Sequence, residues 1–262
     1  MRNEKQWRSF VAVLAFGLVA GLALPASAQQ MQEVKEKPRM YTYVALWTLP
    51  RAQWGDWAKN EEADAKILKD AMANGTLVAY GDDVNLIHQP EQPTHDDWFQ
   101  SMSMAGLMNT LDQFYKSGST TSPLLTSATK HWDNIYVSRY YNWHGGSWQG
   151  TYSYGSSYKL KEDAPNDAID TLAKAVIVPR MEKLLADGVI HEYEIDTEAV
   201  HTMSPGTFWV FWIGANADSL DKVTGSLRDS LKANPLISPA FQSMVDFKDH
   251  RDYLARTNAA YK

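Results

Sequence analysis

The chain has 262 residues, no cysteine and a formal net charge of −6. The missing thiols exclude disulfides, thiolate metal sites and iron–sulfur clusters, and the acidic balance disfavours nucleic acid and anionic membrane as partners. Ten Trp and 13 Tyr call for a fold that uses large, flat, amphipathic side chains.

Arg2, Lys5 and Arg8 make a basic start, an apolar run follows over residues 10–23, Leu24-Pro25 breaks it, and Ala26-Ser27-Ala28 offers a small-residue cleavage site. That order predicts a secretory signal peptide over residues 1–28, cut after Ala28, and a periplasmic or secreted product. The apolar run is short for a spanning helix and no later run rivals it, so no membrane association is expected after cleavage. Losing three basic residues and one acidic residue takes the remainder from −6 to −8. Residues 29–39 read as a polar leader.

Residues 41–49 alternate and are rich in Tyr, Trp and Val, which predicts a strand. Over 52–74, Trp54, Trp57, Ala65, Leu68 and Met72 recur at helical spacing before Asn74-Gly75 closes the helix. A second strand starts over 76–80 and runs toward His88. A third is predicted over 98–104, a helix over 107–115, a short helical stretch from Pro123, and a fourth strand over 132–141. The same series follows again: strand 152–160, helix 168–186, strands 189–200 and 207–213, helix 218–231, a turn at Pro235 and a last strand over 247–253.

The two series align in sequence. Tyr41, Tyr43, Trp47 and Leu49 fall on Tyr152, Tyr154, Tyr158 and Leu160 at an offset of 111. Gly75, Tyr80, Asp83 and His88 fall on Gly188, Tyr193, Asp196 and His201 at 113, and Pro123, Arg139 and Tyr141 on Pro235, Arg251 and Tyr253 at 112. Three matched blocks in one order predict a tandem repeat: residues 40–141, an aromatic, Gly-rich linker over 142–150, and residues 151–262. Each copy reads β-α-β-β-α-β, the ferredoxin-like unit.

Such a unit carries helices on one face of its sheet and must bury the other. Alternation puts Tyr41, Tyr43, Ala45 and Trp47 on one face, and Thr42, Val44, Leu46 and Thr48 on the other. The smaller set is expected under the helices and the aromatic set toward the second copy, with Tyr152, Tyr154 and Tyr158 answering from there. In this the chain resembles the dimeric α+β barrel superfamily. The resemblance implies an α+β fold of two ferredoxin-like βαββαβ repeats, packed sheet to sheet as an intrachain pseudo-dimeric barrel around a central space. It covers everything after the signal peptide and rests on element order and duplication. The superfamily includes metal-free monooxygenases, isomerases and haem proteins.

Tyr43, Trp47, Tyr154 and Tyr158 are therefore the expected ligand-binding wall, for a small apolar or aromatic molecule. The alternative is a cofactor-independent monooxygenase or isomerase-like enzyme in which His88 or His201, at equivalent positions, serves as acid or base; the plainer reading makes each a solvent-facing strand-end residue. Haem would need an axial His in a buried pocket, with His88, His131, His191 and His201 as candidates. No haem motif is present, so no cofactor is predicted. His88, His95, Asp96 and Asp97 beside a Pro-rich loop read as a solvated acidic segment, and no metal is predicted. Trp143, His144 and Trp148 read as cover for the seam between copies, and Arg139 and Arg251 as ion-pair partners of Asp133, Asp249 or Asp252. An oligomer is compatible with all of this. A third reading, a plain interaction protein with a filled barrel, stays open beside the binding and enzyme readings.

Overall fold

The computed structural model describes residues 34–90 and 92–262. The predicted signal peptide and the first part of the polar leader lie outside the described residues. The chain runs β1 (Met40–Thr48), a 3-10 turn (Arg51–Asp56), α1 (Trp57–Ala73), β2 (Ala79–Asn85), β3 (His95–Ser101), α2 (Met104–Ser117), α3 (Pro123–Thr126), β4 (Lys130–Trp143) and a short β5 (Ser147–Trp148). It continues with β6 (Tyr152–Leu160), α4 (Ala168–Leu172), α5 (Val178–Ala186), β7 (Ile190–Glu198), β8 (Thr207–Gly214), α6 (Asp218–Ala233), α7 (Ile237–Met244) and β9 (Val245–Tyr261). A π-helical turn, Ala173–Ile177, joins α4 to α5. Pro179 stands just after it, where a missing N–H and the ring's clash with the preceding turn favour such an irregularity.

The strands lie in the order β2-β3-β1-β4-β7-β8-β6-β9, and β9 pairs back onto β2. All these pairings are antiparallel, so eight strands close a barrel without an edge. The halves meet edge to edge through β4–β7 and β9–β2. This corrects the expected sheet-to-sheet stacking: one continuous barrel buries both inner faces at once. β4 pairs first with β1 and then with β7, and β9 first with β6 and then with β2. The last strand was expected to stop at residue 253. It runs on because its Ala- and Asn-containing end, poor in strand formers, is held by β2 on one side and β5 on the other.

The registers of the halves correspond. Tyr43 faces Phe99 and Tyr154 faces Trp212; Tyr80 faces Phe99 and Tyr193 faces Trp212. These pairs carry the offsets 111 and 113. The third offset is corrected. Tyr43 faces Ile135 while Tyr154 faces Leu254, so the last strands correspond at 119 rather than 112. The eight-residue α7 stands where the first half has the four-residue α3. Arg139 and Arg251 are therefore not counterparts.

The strand faces are the reverse of those expected. Tyr43, Ala45 and Trp47 lie in one buried cluster with Trp57, Leu68 and Ala71 of α1 and Leu107 of α2. Tyr154 and Tyr158 pack against the matching cluster of Leu172, Val178, Met181, Leu184 and Leu185. The sheet–helix layer must be filled to the density of a protein interior, and the rings do this. Thr42, Val44 and Leu46, with Ser153, Gly155 and Ser157, face the lumen instead. A Cβ on Gly155 would run into the ring of Phe211, so this glycine makes room for an inward-pointing phenyl group from β8.

Candidate active site

Between the outer face of β1, β3 and β4 and the helices of the first half lies a cavity of about 390 Å³. Tyr43, Trp47 and Phe99 form its floor, and Leu111, Phe114 and Tyr115 of α2 its roof. One face of α1 supplies Glu61, Asp64 and Leu68 at helical spacing. Local chemistry fixes this cover. The Ser103 hydroxyl accepts from Gly106 N at 3.1 Å to cap α2, and Gly118 at φ 79° ends it in the left-handed conformation. Ser122 caps α3 and its hydroxyl donates to Asn60 Oδ1 at 2.7 Å, which ties α3 to α1.

A polar chain runs along the floor. The Tyr43 hydroxyl donates to Asp133 Oδ1 at 2.7 Å. His131 Nε2 stands 3.3 Å from the same oxygen, and Nδ1–H donates to the Leu46 carbonyl at 3.1 Å. A carbonyl and a carboxylate both demand a proton from the ring, so this geometry suits the imidazolium. Burial works against that charge, but Asp133 and the Leu46 carbonyl outweigh it and hold the pKa of His131 above its ordinary value. The ring lies flat on Trp47, with centroids 3.6 Å apart and planes 11° from parallel, a cation–π contact at the cavity rim. Trp47 Nε1–H in turn donates to Asp97 Oδ2 at 3.0 Å.

Three carboxyls line the interior, Asp97, Glu61 and Asp64, and burial raises each of them. Burial pushes the Asp97 carboxyl up to about 7, against the pull of the Trp47 hydrogen bond and with the help of neighbouring Asp82. Burial, with Asp97 and Asp82 nearby, holds Glu61 well above the carboxylate range. One carboxyl near neutrality, a second kept protonated and a cationic ring between aromatic walls make a set able to take and return a proton.

The second half repeats part of this. His250 stacks on Tyr158 at 4.5 Å, its Nδ1–H donates to the Ser157 carbonyl at 2.9 Å, and its Nε2 lies 3.4 Å from Asp252. Val210 holds the register of Asp97, facing Ser156 as Asp97 faces Ala45, so the base is confined to the first half.

The residues named from sequence divide accordingly. Tyr43 and Trp47 do line a cavity, on the helix side rather than in the barrel. Tyr154 and Tyr158 are packing residues of the second half, Tyr154 stacked on Trp212 and Tyr158 on Phe208. His88 and His201 are exposed in the loops after β2 and β7 and line neither cavity. His88 donates to the Asn85 carbonyl at 2.8 Å. His95, Asp96 and Asp97 are not a solvated loop but the start of β3, with His95 and Asp96 buried and Asp97 partly so. Arg139 pairs with Glu36 and Asp170, and Arg251 donates to backbone carbonyls. Trp148 stacks on His191 and Trp143 on Tyr141. The signal that could have found the site is His-x-Asp, which puts both side chains on one strand face. It occurs at His95-Asp96-Asp97, His131-Trp132-Asp133 and His250-Arg251-Asp252, the last two hidden as a matched pair by the wrong third offset.

Haem does not fit these residues. Both nitrogens of His131 are engaged. Among the described residues, His95 Nε2 is the buried histidine nitrogen without a partner, and Trp54 and Trp57 cover its ring. No three His, Asp or Glu side chains among the described residues converge as metal ligands.

No protein-family model matches the chain, and no curated protein matches it. Solved structures do. A "putative monooxygenase" from Lactobacillus acidophilus superposes with a TM-score of 0.61 at 10% identity, over 86% of this chain and 97% of that one. A protein of the same description from Fusobacterium nucleatum gives 0.62 at 6% identity, over 86% and 95%. Chlorite dismutase from Candidatus Nitrospira defluvii gives 0.47 at 10% identity, over 83% and 90%. For the two putative monooxygenases, at these identities, the likeness is one of fold. Among the described residues no helix is long and apolar enough to cross a membrane.

Proposed function

Since the chain has the fold of the dimeric α+β barrel superfamily, we propose that it is a cofactor-independent, isomerase-like enzyme acting on a small aromatic molecule with an acidic C–H. The observation that carries this is the place of Asp97, on the wall of an aromatic-lined cavity and held by Trp47 Nε1–H, where burial pushes its carboxyl up to about 7. Its carboxylate takes the proton from carbon, and the electrons of that bond pass to the adjacent carbonyl as an enolate. The cationic His131 ring offsets the new charge, and the protonated Glu61 returns a proton to carbon. That second, neutral acid favours an isomerase over an oxygenase. The leader with its basic start, apolar run and A-x-A site supports export. The shared strand order and registers of the halves support a duplicated ferredoxin-like unit.

The test is proton exchange. The protein is incubated in D₂O with phenylacetone, an enolisable benzyl ketone small for a cavity of about 390 Å³, and loss of the benzylic proton signal is followed by NMR. We expect exchange above the buffer rate, falling on the order of 10²- to 10⁴-fold in Asp97→Asn, the usual worth of a positioned general base. Exchange that survives this substitution unchanged, or none in the unaltered protein, overturns the proposal.

A further inference from the structure

The lumen of the barrel is a separate cavity of about 610 Å³, with a chemistry unlike the helix-side pocket. It opens between the loops after β2 and β7, where Ile87 and Met203 line it and are exposed. The far end carries Lys262, whose ammonium group donates to Glu192 and Gln100, lies 3.8 Å from Glu194, and has no exposed side-chain surface.

Acids stand on two facing walls of the lumen. Asp83 of β2, Asp96 of β3 and the alternating Glu192, Glu194 and Asp196 of β7 all line it, and each is at most 5% exposed. Aromatic rings flank the β7 acids on both neighbouring strands, Trp132 and Tyr136 on β4 and Trp209 and Phe211 on β8. Several acids are engaged: Ser153 donates to Asp83 at 2.9 Å, Thr42 to Glu194 at 3.3 Å, Tyr253 to Asp96 and Ser138 to Asp196. Glu192 Oε2, on a side chain only 3% exposed, has no hydrogen-bond partner among the described residues. Five buried carboxyls thus face one buried ammonium group. A buried charge without a counter-charge is costly. Burial is the main cause that raises four of the carboxyls, Asp83 to about 6 and Asp96, Glu192 and Asp196 well above the carboxylate range.

We infer that the barrel lumen binds a small organic cation with an aromatic or apolar body, its ammonium group against the β7 carboxyls and its body against the β4 and β8 rings. A metal ion is disfavoured because no three acidic or histidine side chains among the described residues converge on a point. An anion would meet the carboxyl row. A neutral donor could reach Glu192 Oε2 but would bring no charge to the acidic wall. An ammonium donor meets that oxygen with a charge-assisted hydrogen bond, and rings around the cation add cation–π attraction.

The cation also lowers the proton affinity of the acids it faces, so binding releases protons. The titratable and charged groups around it are those five carboxyls, Tyr136, Tyr253 and Lys262, with Lys159, Asp249, Arg251 and Asp252 also lining the cavity. The test is calorimetric titration of the full protein with phenethylammonium, 2-phenylethanol and 3-phenylpropanoate, which share an aryl-alkyl body and differ in charge. We expect the cation to bind at least tenfold more tightly than the alcohol, no binding of the carboxylate, and a buffer-dependent heat that reports proton release. Glu192→Gln should weaken the cation about tenfold. Trp132→Leu, which leaves the Glu192–Lys262 pair intact, should weaken it about two- to fivefold, as loss of one exposed-site cation–π contact implies. Asp97→Asn, in the other cavity, should leave it unchanged. Equal affinity for cation and alcohol, no binding of the cation, or a cation site lost with Asp97 overturns the inference.

Discussion

Replacing Asp97 by asparagine keeps the shape of the side chain and an oxygen to accept from Trp47 Nε1–H, so the change removes little besides ionisation. The raised carboxyl makes a definite demand on stability. In the unfolded chain it ionises near 3.8, in the folded chain near 7. Between those values the folded state holds a proton that the unfolded state has lost. Stability therefore falls as pH rises through this window and levels off above it. Three pH units at about 1.4 kcal/mol each give an upper bound of about 4 kcal/mol, and water entering the cavity to screen the partly buried carboxylate brings the expected value to about 2–4 kcal/mol. Urea denaturation of both proteins at pH 4 and pH 8 measures it. The two should be close in stability at pH 4, and the asparagine variant the more stable at pH 8 by about that amount. Taking the difference between variants cancels the titration of Asp83 and Asp196, while Glu61 and Asp96, which the Asp97 charge pushes up, relax downward in the variant and add to the gap in the same direction. A gap that does not change with pH, or one that opens toward low pH, would refute the reasoning.

Other expectations follow from single contacts. Lys262→Met leaves Glu192 and Glu194 without their buried ammonium partner and should cost about 3–5 kcal/mol in urea, partly recovered when Glu192→Gln is added. Gly81→Ala puts a methyl 2.8 Å from the Ala259 carbonyl, across the β2–β9 pairing that closes the barrel. Backbone cannot yield there, so a loss of about 1–3 kcal/mol is expected, read as a lower melting temperature. Leu107→Ala empties a fully buried site under the first-half helices and should cost about 2–5 kcal/mol. Tyr43→Phe breaks the hydrogen bond to Asp133, at about 0.5–1.5 kcal/mol, and should shift the imidazole titration of His131 seen by NMR.

Element order was legible because hydrophobic period and turn residues are local. The strand at 152–160 and the helix ended by Asp187-Gly188 needed no knowledge of the rest of the fold. The orientation of β1 was not legible. Alternation separates Tyr43 and Trp47 from Val44 and Leu46, but which set meets the helices depends on how much space each layer leaves. Here the rings span the sheet–helix layer, and the lumen is furnished by β4 and β8. Asp97 was missed for a related reason. His95-Asp96-Asp97 has the composition of a loop, and only pairing with β1 and β2 makes it a strand with Asp96 turned to one cavity and Asp97 to the other. The His-x-Asp pairs were visible, but α7 displaced their alignment by seven residues relative to the rest of the third block. The His88 and His201 correspondence holds, each lying three residues past its strand, yet both point to no cavity lining.

The central claim is that Asp97 is the base of the helix-side cavity. It is tested most directly by a carbon-13 NMR titration of the Asp97 carboxyl carbon, assigned by comparison with Asp97→Asn, with and without phenylacetone. We expect a midpoint near 7 that moves when the ketone binds. A midpoint at the ordinary carboxylate value, or one untouched by the ketone while lumen resonances shift, would contradict it.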